Sequence, residues 1–483
     1  MRADPQNGAG RLVRNWQPRR PRYKSEMTHT QPREIAIIGA GVSGLVCAHG
    51  LLASGHRVTL YSDRAPESFL RDARPTGVAT RFGPALDYER QLGLSHWGQS
   101  EAMLPGAHIT LSPTRGNRLL TVVGRLEKPG IAIDVRLQSH RWMLDFEERG
   151  GTLVIERVDV ECLEEIARTH DLTLVATGKG GLASVFDVDE ARTVYDKPQR
   201  HLSMLCFQGP PLQFGTQPFK AAGLEVLPYA GEVFWLPFHH KDVGPSWVVS
   251  FEAKWGGPMD HFQDVSTGEE MLQRAREVTR ALMPWRTSLL DDAQLSDHNG
   301  WLQGALRPLV RKPVGRLPSG QVVAALGDTA IAFDPLAAQG ANNGTRMARH
   351  WVEAVDARGE SPLDAAWIEA SFEDFWDTHA QHAVALTNLL MEAPPPMVAA
   401  LLIAQYGSDG AEGRRDGPQA IADTYISNFA EPAALTPELL DGARTRAVVR
   451  ELSGSFAGSV ARALPGILGA QLRQLVGKEP GHP

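Results

Sequence analysis

EIAIIGAGVSGLVCAHGLLASGHRVTLYSD, residues 34–63, decides how the rest of this 483-residue chain is read. Ile35 to Ile38 is a short apolar run of the kind that forms a buried parallel strand. Gly39, Gly41 and Gly44 follow in G-x-G-x-x-G spacing. The largely apolar segment behind them (Leu45, Val46, Cys47, Ala48, Leu51, Leu52) reads as a helix ending at Gly55, and His56 to Tyr61 as a second strand. Each glycine has its own task. Gly39 permits the tight turn, Gly41 lets the backbone approach a pyrophosphate, and Gly44 lets helix and strand pack closely. The helix start, where Val42 and Ser43 offer unsatisfied N–H groups at the positive end of the dipole, receives the phosphates. Strand, triplet, helix and strand in this order specify a dinucleotide site. The acidic residue that holds the ribose is expected near the end of the second strand. Ser62 occupies that position, so Asp63, followed by Arg64, is the candidate.

Around this centre the composition is that of a globular protein, with 42% hydrophobic and 22% charged residues. No apolar run is long enough to span a bilayer. Cys47, Cys162 and Cys206 have neither metal-ligand nor disulfide-framework spacing, which suits a reducing, cytoplasmic setting. The sixteen histidines form no zinc pattern, and no metal is expected. The net charge of −7 is uneven: residues 1–33 carry +6, leaving −13 for the rest. That first stretch is rich in Arg and Pro and lacks a signal-peptide apolar region, so it reads as a disordered basic extension rather than a nucleic-acid arm. Met27 is an alternative start for the native chain. Neither nucleic acid nor membrane is expected as a partner.

Further along, helices are expected over 132–151, 268–282 and 345–355, and strands over 152–158, 171–177 and 321–326. Residues 201–207, 232–238 and 247–253 read as an antiparallel sheet, whose aromatic side chains (Phe207, Phe234, Trp235, Phe238, Trp247, Phe251) would roof a pocket. Most of the chain after Ala365 reads as helical, including Leu439 to Val476. The strand at 321–326 runs into Gly327-Asp328 and then DPLAAQGANNG, residues 334–344. An Asp directly after a buried strand can accept hydrogen bonds from a sugar-alcohol chain. The glycine-rich lead into a helix presents N–H groups and a positive dipole end to an anionic ring. Two such motifs nearly 300 residues apart indicate a flavin dinucleotide.

GAGVSG, the helix opening Ile133-Asp134-Val135-Arg136, and GDTAIAFDPLAAQGAN resemble the three flavin-contacting motifs of the para-hydroxybenzoate-hydroxylase-like FAD fold. More narrowly, VTLYSDR (58–64), ALDYERQLG (85–93), AIDVRL (132–137), DLTLVATGKGGLASVF (171–186), YDKPQR (195–200), LQGALRP (302–308) and ISNFAEP (426–432) are similar to the epoxidase component of two-component styrene and indole monooxygenases. The resemblance spans about residues 33–435. It implies FAD contacts from Gly39, Gly41, Gly44, Arg136, Asp328, Pro335, Gly340 and Asn342. It also implies that Thr76, Val78 and Thr80 line the flavin face of the substrate pocket. The styrene enzymes carry Asn and His where Thr76 and Thr80 stand, and that difference bears on the substrate.

The resemblance implies an α/β protein: a Rossmann-type FAD-binding fold (34–195 and 300–365), an inserted antiparallel-sheet substrate domain (196–299) and a helical C-terminal region (366–483). The implied activity is oxygenation of an aromatic alkene, indole or aryl sulfide through a C4a-hydroperoxyflavin. Reduced FAD acts as co-substrate with molecular oxygen, and a separate NADH-dependent flavin reductase supplies it; a homodimer is compatible with this. In such an enzyme the flavin performs the reaction, so no catalytic side chain is assigned, and no paired-carboxylate arrangement stands out along the sequence. The alternatives on the same scaffold are a single-component FAD/NAD(P)H aromatic hydroxylase and a flavin-dependent halogenase. The chain lacks both the G-W-x-W-x-I-P run and the Asp-Gly element of those classes, and no second nucleotide motif or fused reductase is apparent.

Overall fold

The structure is a computed structural model describing residues 31–98, 100, 102–178, 180–211, 214, 219–414 and 416–475. The basic extension at residues 1–30 and the lysine of the TGK segment lie outside the described residues. Glu34–Ile38 is the centre of a six-stranded sheet. Arg57–Ser62 and then Thr152–Ile155 lie on one side of it. Leu172–Val175, Val322–Ala325 and Val314–Arg316 lie on the other. All neighbours are parallel except the edge strand Val314–Arg316. The burial pattern explains why these segments read as apolar runs rather than alternations: helices Val42–Ala53, Val135–Glu148 and Gln339–Arg358 join one core with the sheet.

The second sheet has nine strands and is antiparallel apart from one pair, Met103–Leu111 with Ala222–Leu227. Its centre is the expected trio, observed as Arg200–Gln208, Gly231–His240 and Gly244–Lys254. The sheet is not confined to 196–299. Thr80–Arg81, Met103–Leu111 and Leu120–Ala132 extend it on one edge, and Trp301–Ala305 pairs with Arg200–Gln208. Strand pairing satisfies backbone groups wherever an edge is open, so segments distant in sequence complete it.

One expectation about this sheet is corrected by the pleat. Side chains alternate between faces, so Phe207, Trp235, Trp247 and Phe251 turn outward with Val233 and Leu205 and pack under helix Gly268–Leu282. Phe234 and Phe238, with Leu236, Met204 and Val248, face the other way, toward Val78, Ala338 and the C-terminal helices. The aromatic residues are therefore mainly an outer core, and the inner face is mostly aliphatic.

Among the described residues no single helix is long and apolar enough to cross a membrane. In the last helix, Phe456–Leu475, Ile467 is buried whereas Leu464, Leu468 and Leu472 are exposed.

Candidate functional site

The glycine triplet has unequal structural duties. Gly39 has φ +117, and a Cβ there would lie 2.5 Å from the carbonyl oxygen of Ala176. A Cβ on Gly44 would lie 2.0 Å from the carbonyl oxygen of Gly39. The fold itself forbids side chains at both positions. Gly41 differs: a Cβ there meets nothing within 4 Å, and its φ of −79 suits any residue. Packing gives no reason for a glycine at that position, whereas a ligand pressed against the backbone does.

Gly41 also begins helix Val42–Ala53, which has neither a side-chain cap nor an acidic residue in its first turn. Its leading N–H groups are thus left for a ligand. Helix Gln339–Arg358 begins the same way, uncapped, after Ala338 in the left-handed region at φ 52. The two helices cross through small residues. A Cβ on Gly344 or Gly327 would come within 2.1 or 2.6 Å of Ser43 Oγ, so both positive helix ends address one region. Asp328 is part of it, since a Cβ on Gly340 would sit 3.5 Å from Asp328 Oδ1. Pro335 is exposed and Gly340 half-buried at the mouth of this region, and Val42 and Ser43 are half-buried beside Gly41.

Helix Val135–Glu148 closes a third side. Ser139 Oγ donates to the carbonyl of Ala40 at 2.9 Å, which brings the helix against the glycine loop. The adjacent Gln138 is buried, yet neither atom of its amide has a partner. Asn343 is in the same condition. Buried amides are normally satisfied, so both are signs of a polar group expected nearby. One turn earlier than Ser139, Arg136 is enclosed. It donates to Asp134 (2.9 and 2.7 Å) and to Asp297 Oδ2 (2.9 Å), and reaches Ala73 O at 3.4 Å. His240 Nδ1 accepts from the amide of Asp242, so its proton resides on Nε2, which donates to Asp297 at 2.6 Å. Burial acts to raise the Asp297 carboxyl, but the bonds from His240 and Arg136 outweigh it and hold the group well below the usual carboxylate range. His240, Asp242 and Asp297 are close enough to share a cation, but the Arg136 guanidinium already occupies that carboxylate, and no metal is assigned.

The loop over residues 76–82 is tightly held. Ala79 has φ 48, a conformation costly for a residue with a Cβ. Arg81 donates to its carbonyl at 2.7 Å and pairs with Glu89 at 2.6 Å, both side chains being buried. The Asn342 amide completes the clamp, accepting from Phe82 N at 2.9 Å and donating to Thr80 O at 2.9 Å. Asn342 therefore spends its side chain on the loop. Within the loop Thr80 is buried, Val78 half-buried and Thr76 exposed. Asp63, just beyond strand Arg57–Ser62, is exposed and forms an ion pair with Arg64 at 3.1 Å.

Several supporting residues escaped the sequence reading. Gln339 donates to Phe429 O at 2.9 Å, and Arg346 to Glu431 at 2.7 Å. The ISNFAEP segment thus ties the C-terminal helices to the start of helix Gln339–Arg358. The sequence reading also found no paired carboxylates, yet the structure sets Glu232 directly opposite Glu252, because cross-strand neighbours are not adjacent in sequence.

Residues 178–288 match the family described as the styrene monooxygenase A substrate binding domain. Styrene monooxygenase StyA of Pseudomonas fluorescens is 27% identical over 414 residues, covering 83% of this chain and 93% of that protein. Among solved structures, a flavin-dependent brominase superposes with TM-score 0.56 at 13% identity, covering 87% of this chain and 98% of the other. The p-nitrophenol 4-monooxygenase of Pseudomonas putida DLL-E4 superposes with TM-score 0.54 at 14% identity, covering 86% and 98%. The fold is the α/β fold of these flavin enzymes, and the chain resembles styrene monooxygenase over most of its length.

Proposed function

We propose that this chain is the FAD-dependent oxygenase component of a two-component monooxygenase. Its substrate would be an aromatic alkene, indole or aryl sulfide, and its reduced FAD would come from a separate NADH-dependent reductase. The observation that carries this reading is Gly41, a glycine that packing does not require, at an uncapped helix start whose Ser43 packs against Gly344 of the second uncapped helix. The similarity to styrene monooxygenase supports the substrate class.

In this reading the N–H groups of Val42, Ser43 and Gly44 take the pyrophosphate, Asp63 or its neighbour Arg64 meets the adenosine end, and Asp328 takes the ribityl hydroxyls. Gly340 and the helix start behind it address the anionic end of the ring. Arg136, held rigid by two carboxylates, borders the pyrophosphate. Bound reduced FAD would supply the activation of oxygen. The chain's own contribution is orientation and dryness: Val78, Leu236, Phe234 and Phe238 present an apolar face, and the clamp on loop 76–82 fixes it. Thr80 in place of histidine makes that face smaller and uncharged, so styrene need not be the best substrate.

The test is anaerobic titration with reduced FAD, followed by oxygen and a panel of styrenes, indole and aryl sulfides with product analysis. Micromolar or tighter binding and an oxygenated product are expected. Binding without any oxygenated product would remove the substrate class, and no binding would remove the flavin.

A further inference from the structure

Five neighbouring strands of the larger sheet set one row of side chains on its inner face. Leu224, Phe234, Ser250, Met204 and Leu302 follow one another across Ala222–Leu227, Gly231–His240, Gly244–Lys254, Arg200–Gln208 and Trp301–Ala305, each directly opposite the next. All except Ser250 belong to the apolar cluster that also contains Val78 and Ala338. Val248, on the same strand as Ser250 and on the same side of the pleat, is part of that cluster too. Leu224 and Met204 are buried, whereas Phe234, Ser250 and Leu302 are half-buried, so the row is open around Ser250. In the next row Glu232 and Glu252 oppose each other and both are buried, which leaves Ser250 as the accessible polar group. The loop over residues 76–82 is joined to this sheet. Thr80 pairs with Ala132 on its edge, and Ile133 forms a bridge to His239. Asn342 fastens the loop to the start of helix Gln339–Arg358. Loop, helix start and the row around Ser250 thus border one apolar cluster.

We propose that Ser250 is a specificity-determining residue of the substrate pocket: its Oγ accepts a hydrogen bond from an N–H or O–H group on the aromatic substrate, and so favours such rings over hydrocarbons of the same shape. The inference rests on the oxygenase reading above. The strand of Ser250 is paired on both sides, which fixes where the hydroxyl stands. Among the described residues no hydrogen bond engages it, and packing has no use for a hydroxyl there, since alanine or valine would complete the row. A few placed polar groups on an otherwise apolar wall are what orient a ligand in a pocket. A ring donor lying against Phe234, Met204 and Leu302 would give up its water with nothing in return. The serine hydroxyl, with two lone pairs, supplies the missing acceptor. One such bond corresponds to about threefold to tenfold in affinity or in kcat/KM.

The test uses two matched pairs, indole with indene and para-hydroxystyrene with para-methylstyrene, turned over by the full chain with FAD, NADH and a flavin reductase. Within each pair the ratio of kcat/KM for the donor-bearing ring to that for the hydrocarbon is compared between wild type and variants, so the intrinsic reactivity of each compound cancels. In Ser250→Ala this ratio should fall by about threefold to tenfold in at least one pair. Ser250→Thr keeps the hydroxyl and should keep the ratio. Unchanged ratios in both pairs for Ser250→Ala overturn the proposal, and so does an equal fall in Ser250→Thr. If none of the four compounds is oxygenated by the wild type, the oxygenase reading falls. Calorimetric binding of the same pairs to wild type and Ser250→Ala then judges the hydroxyl by itself: the donor-bearing ring should lose affinity in the variant by the same factor, and equal affinities overturn it.

Discussion

Asp297 shows what a single side chain does for the site. It approaches Arg136 from the loop between strands Gln294–Leu295 and Trp301–Ala305, while Asp134 holds the same guanidinium from the cap of its own helix. Asp297→Asn should therefore keep the fold but lose about 1.5–3 kcal/mol at pH 7, the usual worth of hydrogen bonds to charged groups. The sign with pH follows from its depressed pKa. Its contribution is fully present above the unfolded value of about 4 and disappears as pH falls through the lower folded value. Urea melts of wild type and variant should thus differ at pH 7 and converge toward pH 2; a gap that widens on acidification would contradict the assignment. Ala79 is a second residue whose cost is visible. Its left-handed φ is tolerable for alanine but not for a β-branched side chain, so Ala79→Val should cost about 1–3 kcal/mol. A melt within error of wild type would mean the loop relaxes easily, and the clamp by Arg81 and Asn342 would not be fixing it.

The glycine loop and its helix separate structural from ligand-imposed demands. Gly44→Val should abolish folding, because its Cβ would overlap the Gly39 carbonyl. Gly41→Val should melt like the wild type and lose FAD binding, because only the ligand needs that space. Circular dichroism melts with flavin titration check both; wild-type FAD affinity in the Gly41 variant would remove the assignment. This element was readable from sequence because its information is local: strand, turn and helix follow one another within thirty residues. Helix Gly268–Leu282 was equally legible, bounded by a Thr267–Glu270 capping box. What escaped was non-local. Nothing in the sequence indicates that Ala107 lies beside Ala222, or that Glu232 faces Glu252. The aromatic residues were found as strand residues, but four of the six, Phe207, Trp235, Trp247 and Phe251, lie on the face away from the expected pocket, since composition alone does not fix which side of a pleat a residue takes. Nor does the sequence indicate that the Asn342 side chain braces the loop at Thr80 and Phe82.

At the scale of the whole molecule, the two-component reading predicts that the chain cannot reduce its own flavin. In that reading the one glycine triplet in strand–helix–strand context is taken up by the FAD. Mixed with FAD and NADH but no reductase, the purified chain should leave nicotinamide absorbance unchanged; NADH consumption matching product formation would place it with the single-component enzymes. The N-terminal extension should also be dispensable up to a definite point. Arg33 donates to the carbonyls of Gly359 and Ser361, 2.6 and 2.7 Å away, anchoring the first strand to the far end of helix Gln339–Arg358. A chain beginning at Met27 keeps that anchor and should keep full turnover, whereas Arg33→Ala should melt earlier.

The weaving of the larger sheet limits how such enzymes can be recombined. The matched stretch 178–288 looks like a cassette that could be exchanged between relatives to change substrate preference. Its strand Ala222–Leu227, however, is sewn to Met103–Leu111, and Arg200–Gln208 to Trp301–Ala305. A graft cut at 178 and 288 would sever partners on both flanks and leave raw edges prone to aggregation. Crossovers that inherit residues 80–132 and 294–305 from the same parent as the cassette keep the strand pairs of this sheet intact, and those chimeras should be the ones that stay in solution.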